Sequence, residues 1–237
     1  MTNRKRSSKK WLVALIVVAA ISGAPSAAMR WKIGQSVKEK APEMISPARL
    51  YSVSVKGGAF DIIKGRIEAI NIRGYDVRLA NGLTIDRLDV RLKEIRFKPD
   101  QTITDVQSAD FSAILTESNL IDFMSVSRPD MKDARVVLDD GILKLSVSPR
   151  VLATRTPVTL ECSLQIEEDT RLNLVINRLV ARGIRVPGFV KEKLTKDLNP
   201  VFDTSQMDLD AKLKSVDVSN GAITLKGNAD VRQALAR

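Results

Sequence analysis

Residues 75–97 read YDVRLANGLTIDRLDVRLKEIRF, and this stretch decides the fold. Asn81-Gly82 stands between two runs in which apolar residues alternate with polar ones. Both central residues of a type I′ hairpin turn need a positive φ, and Asn and Gly adopt that conformation most readily. The stretch therefore predicts an antiparallel hairpin whose arms are residues 75–80 and 83–97.

The second arm of this hairpin has two interpretations. Leu88, Val90 and Leu92 recur at the period of two that is typical of a strand, although the apolar residues of the run also fit a helical spacing. A helix would leave the hairpin without its second arm. We therefore expect a long strand, with bulges near residues 86–87 and 93–94 that bend it.

Two more dipeptides of the same kind, Asp140-Gly141 and Asn220-Gly221, predict two further hairpins. Their arms are residues 134–139 with 142–147 and residues 212–219 with 222–228. Val, Ile and Thr, which favour half-buried strands, dominate four other segments: residues 62–72, 102–115, 157–166 and 171–179.

The clearest predicted helix follows Thr116, whose hydroxyl suits the N-cap position. Leu120, Phe123 and Met124 then fall on one side of it, and Pro129 marks its end. A weaker helix is expected from residue 29 to about residue 40.

Another helix is predicted between Pro187, which suits a first helical turn, and Pro200. Val190, Leu194 and Leu198 recur on one side at intervals of four. Such apolar stripes either cover a face of the sheet or, together with a curved sheet, enclose an elongated apolar cavity. The spacing alone leaves both interpretations open.

The N-terminus has the pattern of an export signal. Five basic and no acidic residues occupy the first ten positions, residues 11–23 are apolar or small, and residues 24–28 are small or Pro. Cleavage at Ser26-Ala27-Ala28 is favoured. The alternative is an uncleaved anchor, because residues 11–29 carry no charge and roughly 20 such residues span a bilayer. We expect residues 1–28 to be a signal peptide or anchor, 29–48 a linker with a short helix, and 49–237 one domain acting in the periplasm or cell envelope.

The composition excludes several classes of function. The chain has no histidine and one cysteine, Cys162, so zinc sites of the Cys/His type and Ser-His-Asp triads lack their parts. Without the five basic residues of the signal, the chain has 33 Lys and Arg against 28 Asp and Glu, so its net charge falls from +10 to 33 − 28 = +5. This excess is too small to indicate a nucleic-acid-binding surface. We place Cys162 on the polar-facing side of a strand, and we expect no catalytic residue, metal site or cofactor.

The order of these features resembles the LmeA-type phospholipid-binding family of exported bacterial proteins over residues 40–231. The resemblance rests on the signal, IKGRIEAINI at residues 63–72, SADFSAILTESNL at residues 108–120, RVPGF at residues 185–189 and the final hairpin. It implies an α+β fold similar to the tubular lipid-binding (TULIP-like) superfamily. In that fold a long, strongly curved antiparallel sheet wraps around a helix, and here a second amphipathic helix would accompany it.

The resemblance also implies non-enzymatic binding of phospholipid or of a membrane surface, with a role in lipid transport or envelope biogenesis. Acyl chains gain about 0.8 kcal/mol for each CH₂ buried, so an apolar cavity can hold them without covalent chemistry. The expected lining is Leu120, Phe123, Met124, Phe189, Val190, Leu194 and Leu198, and the expected headgroup contacts are Arg182, Arg185 and Lys191. The alternatives are a structural envelope protein with a solid core and protein partners, and an envelope hydrolase using carboxylates such as Asp208 and Asp210.

Overall fold

The computed structural model describes residues 26–98, 103–127, 133–147, 150–151, 154–155, 157–181, 184–185, 188, 191–192, 195–196, 199–206 and 210–230. Its three complete helices are α1 (Ser26–Met44), α2 (Ala59–Ile63) and α3 (Glu117–Ser127). The strands are β1 (Leu50–Lys56), β2 (Arg66–Arg78), β3 (Thr84–Phe97), β4 (Ile103–Thr116), β5 (Arg135–Asp139), β6 (Ile142–Val147), β7 (Arg150–Val151), β8 (Thr154–Arg155), β9 (Val158–Glu167), β10 (Arg171–Ala181), β11 (Ile184–Arg185), β12 (Phe202–Asp203), β13 (Asp210–Ser219) and β14 (Ala222–Asp230).

Two antiparallel sheets form the fold. The first sheet has the strand order β1-β2-β3-β4-β14-β13, and the second has the order β11-β10-β9-β6-β5, with β12 also paired to β10. β7 and β8 pair only with each other in a two-residue ladder. The first sheet is strongly curled into a half-barrel, and the predicted α+β, TULIP-like fold is confirmed.

The three predicted hairpins are all present. Asp140-Gly141 and Asn220-Gly221 have positive φ at both residues, as a type I′ turn requires. The turn at Asn81-Gly82 differs, because only Gly82 has a positive φ (91°). The Gly82 N–H donates to the Leu79 carbonyl (2.9 Å), and the Leu79 N–H donates to the Leu83 carbonyl (2.8 Å). This is a three-residue loop with glycine in the left-handed position, so the type I′ expectation is wrong there.

β3 is the long strand that the ambiguous run predicted. Its register against β2 is the same on both sides of residues 86 and 94, with Tyr75 opposite Arg87 and Ala69 opposite Lys93. The expected bulges are therefore wrong, although Glu94 has a positive φ of 48°. The register shift in β3 lies later, between Arg96 and Phe97, against β4.

The strand expected from residue 62 begins later, at Arg66, and runs without a break through residue 78. The Ile62 N–H donates to the Gly58 carbonyl, as in a helix, and the chain reverses at Gly65, whose φ is 76°. A Cβ at Gly65 would lie 2.2 Å from the Phe97 carbonyl oxygen, so only glycine fits where β2 starts beside the end of β3. β1 was not predicted.

α1 is longer than the helix expected from residue 29 to residue 40. Met29, Ile33, Val37 and Ala41 recur at intervals of four and are all buried, so one face of α1 lies against the first sheet. α1 packs on β1, where Gly34 approaches the Val53 carbonyl. The division into residues 1–28, 29–48 and 49–237 stays a prediction, since residues 1–25 lie outside the described part of the chain.

Candidate functional site

α3 begins with the predicted cap. The Thr116 Oγ1 lies 3.4 Å from the Asn119 N and 2.8 Å from the Asn119 Oδ1, and the Thr116 N–H donates to that Oδ1 at 3.0 Å. The Glu117 Oε1 accepts a 2.7 Å hydrogen bond from the Leu138 N–H in β5. These bonds fix the start of α3 between the two sheets.

The apolar side of α3 borders a cluster that both sheets share. Leu120, Ile121 and Met124 pack there with Val136 and Leu138 of β5, and with residues of β13 and β14. We call this the α3 cluster; its remaining members are Leu115, Leu143, Leu145, Leu164, Val216, Val218 and Ile223. The sequence reasoning named Leu120 and Met124 but missed Ile121, which is three residues from Met124 and one from Leu120.

Phe123, the third residue predicted for this side, is half-buried and does not belong to the α3 cluster. Val126 on the same helix is 79% exposed. The structure thus brings Leu120 and Met124 together, with Phe123 beside them on the helix. Whether any of them contacts a ligand stays a prediction.

A second apolar region covers the middle of the second sheet. Leu160, Cys162, Ile176 and Leu179 are buried, and the half-buried Leu143, Leu145, Val158 and Leu174 pack against them. We call these eight residues the β9–β10 cluster. Among the residues that the structure describes, all members come from β6, β9 and β10, so no helical residue belongs to the cluster.

Cys162 lies on this apolar face, so its predicted polar-facing position is wrong. Along β9, Cys162 shares its side with Leu160 and Leu164, whereas Glu161 and Ser163 take the opposite side. Burial raises the pKa of the Cys162 thiol to about 11, because a thiolate loses its hydration there. The residue therefore serves as a small apolar core side chain.

Part of the helix predicted after Pro187 lies within the described residues. Gly188, Lys191, Glu192, Thr195 and Lys196 are helical. Phe189, Val190, Leu194, Leu198 and Arg182 lie outside the described residues.

Two of the predicted headgroup residues are placed at least in part. Arg185 is in β11, opposite Val180 of β10, and its side chain is outside the described part. Lys191 is half-buried, and its carbonyl accepts a bond from the Thr195 Oγ1 (2.9 Å). Just after this helix, the Asn199 side chain bonds both the N–H and the carbonyl of Leu174, at 2.7 and 2.8 Å. The helix end is thereby attached to the edge of β10.

The polar face of the first sheet carries a groove of about 580 Å³ that the sequence reasoning missed. Its polar walls come from alternating positions of neighbouring strands: Ser52, Ser54, Asn71, Arg73, Asp89, Arg91, Asp110, Ser112, Lys214 and Lys226. No residue predicted for the site lines this groove. The polar residues of the alternating pattern that predicted the strands could have indicated this groove.

The two carboxylates of this groove, Asp89 and Asp110, are both in ion pairs. Arg73 binds Asp89, while Lys93 and Lys214 both lie within 4 Å of Asp110, at 3.2 and 3.8 Å. Such pairs are typical of a solvated sheet face and contribute little to stability. The groove therefore presents polar and charged side chains to solvent, beside Ile72, Val90 and Phe111.

Within the described ranges, no cluster of three or more His, Cys, Asp or Glu side chains could hold a metal ion. Asp208 lies outside those ranges, and of Asp210 only the backbone, in β13, is described. A search of the same part of the chain finds no helix whose length and hydropathy would let it span a membrane.

A curled antiparallel sheet with helices on its apolar side is the architecture of TULIP-like lipid-binding proteins. The model of the LmeA-like phospholipid-binding family matches residues 27–228, which is most of the chain. The chain belongs to this family, and membership indicates lipid binding. Neither the curated proteins nor the solved structures contain a significant match.

Proposed function

We propose that this protein is a non-enzymatic phospholipid-binding protein of the bacterial cell envelope, which holds acyl chains in an apolar space and acts in lipid transport or envelope biogenesis. Family membership supports lipid binding, and the absence of histidine supports a role without acid–base catalysis by imidazole. The residues around α3 and the β9–β10 cluster would form the apolar space.

The observation that carries this placement is the incomplete burial of the α3 cluster. Four of its members are buried and eight are only partly buried. A solid core between two sheets buries its central side chains fully, as the residues under α1 are buried. Partly buried aliphatic side chains that face one another leave apolar surface for a ligand to cover.

The β9–β10 cluster extends the same apolar surface. Leu143, Leu145 and Leu164 link the two regions, since Leu143 and Leu145 belong to both clusters and Leu164 continues the side of β9 that Cys162 occupies. We propose that the stripe of Val190, Leu194 and Leu198, together with Phe189, completes the lining of this surface. The exposed residues Gly188, Glu192 and Lys196 recur at intervals of four, which leaves positions 190, 194 and 198 for the other side of a regular helix.

A bulky substitution on α3 tests the proposed space. Met124→Trp fills it while keeping the surface apolar, so co-purifying phospholipid, measured by native mass spectrometry and lipid extraction, should fall several-fold with little loss of stability. Val126→Trp on the exposed side of the same helix is the matched control and should retain the lipid.

A solid core gives the opposite pattern. Met124→Trp would then overpack the interior and lower the free energy of unfolding by about 1–3 kcal/mol, and neither the parent nor Val126→Trp would carry phospholipid. That outcome would replace the lipid carrier with the structural envelope protein.

We further propose that Arg182, Arg185 and Lys191 attract the lipid phosphate at the mouth of this space. Charge-assisted bonds to phosphate oxygens are among the stronger hydrogen bonds in proteins. Replacing all three with Glu should weaken binding to anionic vesicles. The same replacement of Arg91, Lys214 and Lys226 in the polar groove is the control, and its affinity for the vesicles should stay within about twofold of the parent affinity. If only the groove variant binds less, the headgroup site belongs to the groove.

Export is the remaining part of the proposal. The mass of the native N-terminus would distinguish a chain cleaved near residue 28 from one that keeps residues 1–28 as an anchor. Recovery of the intact chain from the cytosol would contradict both.

A further inference from the structure

Three large apolar side chains are exposed on α1 and α2, two helices that contact each other. Trp31 in α1 is 64% exposed, and Phe60 and Ile63 in α2 are 68% and 65% exposed. Each helix also has a buried side, at Ile33 in α1 and at Ile62 in α2. The helices are therefore anchored in the core by one side and present large apolar groups to solvent on the other.

The two helices lie together at one end of the first sheet. The Arg30 Nη1 donates to the Gly57 carbonyl at 3.3 Å, which joins the start of α1 to the loop before α2. The helices also contact each other directly. We call Trp31, Phe60 and Ile63 the α1–α2 patch. Exposed apolar patches of this kind mark surfaces that contact a protein or a membrane.

The surroundings of the patch favour an anionic surface. Lys32, Lys56, Lys64 and Arg66 are exposed in the adjoining segments, against the two acidic residues Asp61 and Glu68. The Lys64 Nζ lies 4.0 Å from the centre of the Phe60 ring. A Trp and a Phe among lysines and arginines are typical of the interface between lipid headgroups and acyl chains.

The direction of the chain adds a second argument. α1 begins at Ser26, three residues after the end of the run of apolar and small residues 11–23. The segment with the pattern of a membrane signal therefore joins the fold at the end that carries the α1–α2 patch. A membrane reached by that segment would meet this end of the molecule first.

We propose that the α1–α2 patch docks the protein onto an anionic phospholipid membrane surface, with Trp31, Phe60 and Ile63 inserted at the level of the headgroups. The inference rests on the proposed function in taking the membrane as partner, and it assigns the contact to a surface apart from the α3 cluster. Docking and lipid binding can therefore be lost separately.

Tryptophan quenching in the full-length chain tests the contact. The chain has two tryptophans, so Trp11→Phe leaves Trp31 as the single reporter. With vesicles of phosphatidylglycerol and phosphatidylcholine whose acyl chains are brominated, Trp31 emission should be quenched. Adding Phe60→Ser and Ile63→Ser keeps the reporter and the N-terminal segment but removes the other two apolar groups, so half-maximal quenching should need roughly tenfold more lipid.

The matched control is Val126→Ser with Val137→Ser, at positions that are 79% and 50% exposed elsewhere on the surface. This control should be quenched like the parent. Equal quenching of the Phe60/Ile63 variant and the control would overturn the proposal, because tethering by the N-terminal segment alone would then account for the signal. The oligomeric mass of the Phe60/Ile63 variant without lipid is a second readout. If this mass differs from that of the parent while the quenching is unchanged, the patch contacts a second copy of the chain. That result would also overturn the proposal.

Co-purifying phospholipid, measured in the same variants, separates the two proposals. Lost quenching with retained bound phospholipid supports docking as a distinct property. If the parent protein is quenched by the vesicles but never carries phospholipid, docking is supported and the proposed lipid carrier is contradicted.

Discussion

The two helices that cover the sheets, α1 and α3, differ in how deeply their apolar sides are buried. The cluster under α1 has 13 buried and 9 partly buried residues, whereas the α3 cluster has 4 and 8. Both helices show apolar residues at helical spacing, so the spacing alone does not distinguish them. The difference arises because α1 lies against one curled sheet, while α3 lies where two sheets meet.

This contrast indicates that α1 and α3 have different roles in the fold. The deeper burial under α1 gives close packing and a large share of the stability of the fold. Partial burial under α3 contributes less to stability and makes the region less stable against local opening. The apolar space of a lipid carrier would be drawn from the second kind of surface.

The largest expected effect is on stability at α1. Ile33→Ala removes a side chain that is 2% exposed and should lower the free energy of unfolding by about 3 kcal/mol, measured by urea denaturation. Leu120→Ala on α3 removes a half-buried side chain, and we expect a loss of about 1 kcal/mol. Trp31→Ala, on the exposed side of α1, should change stability by less than about 0.5 kcal/mol. Equal losses at Ile33 and Leu120 would remove the contrast between the two helices.

A smaller effect is expected where α3 begins. Because its apolar side contributes less, α3 should depend on its cap, and Thr116→Ala should lower stability by about 1 kcal/mol. Hydrogen exchange should become faster in α3 and stay unchanged in α1. Thr116→Ser keeps the hydroxyl and should restore the parent rate, whereas unchanged exchange in Thr116→Ala would show that packing alone holds α3.

The strands and turns were largely predictable because their signals are local. Asn220-Gly221 determines its turn through φ preferences, and alternating residues define the arms on either side. β1 has the same alternation, with Tyr51, Val53 and Val55 on one side, but Gly57-Gly58 after it leads into α2 and not directly into a partner strand. After α2 the chain reaches β2 through Gly65, which lies against Phe97, and this is a contact between residues far apart in sequence.

The candidate site was less predictable, since the degree of burial depends on which sheet faces a helix. Spacing placed Leu120 and Met124 correctly on the side of α3 that packs, but it could not reveal that this packing is incomplete. It likewise missed the exposure of Phe60 and Ile63, since Ile63 was assigned to a strand at residues 62–72 and Phe60 to no element.

Cys162 gives an effect that is confined to alkaline pH, and it tests how well the β9–β10 cluster is covered. Its pKa is raised from 9.0 to about 11 in the folded protein, so the unfolded chain loses the thiol proton first as the pH rises. Stability from this group is therefore complete below pH 9 and decreases between about pH 9 and pH 11, where the folded state holds more protons than the unfolded state. Urea denaturation at a series of pH values should show this decrease, and Cys162→Ala should lack it.

Thiol labelling gives an independent measure of the same cover. A buried neutral thiol should react at pH 8 only as fast as the region opens, so labelling should be slow in the native protein and rapid in urea. Met124→Trp should leave this rate unchanged if the cover over Cys162 is independent of α3. Rapid labelling of the native protein would mean that the apolar face of the second sheet is open to solvent. The proposed apolar space would then extend across the β9–β10 cluster with no segment of the chain covering it.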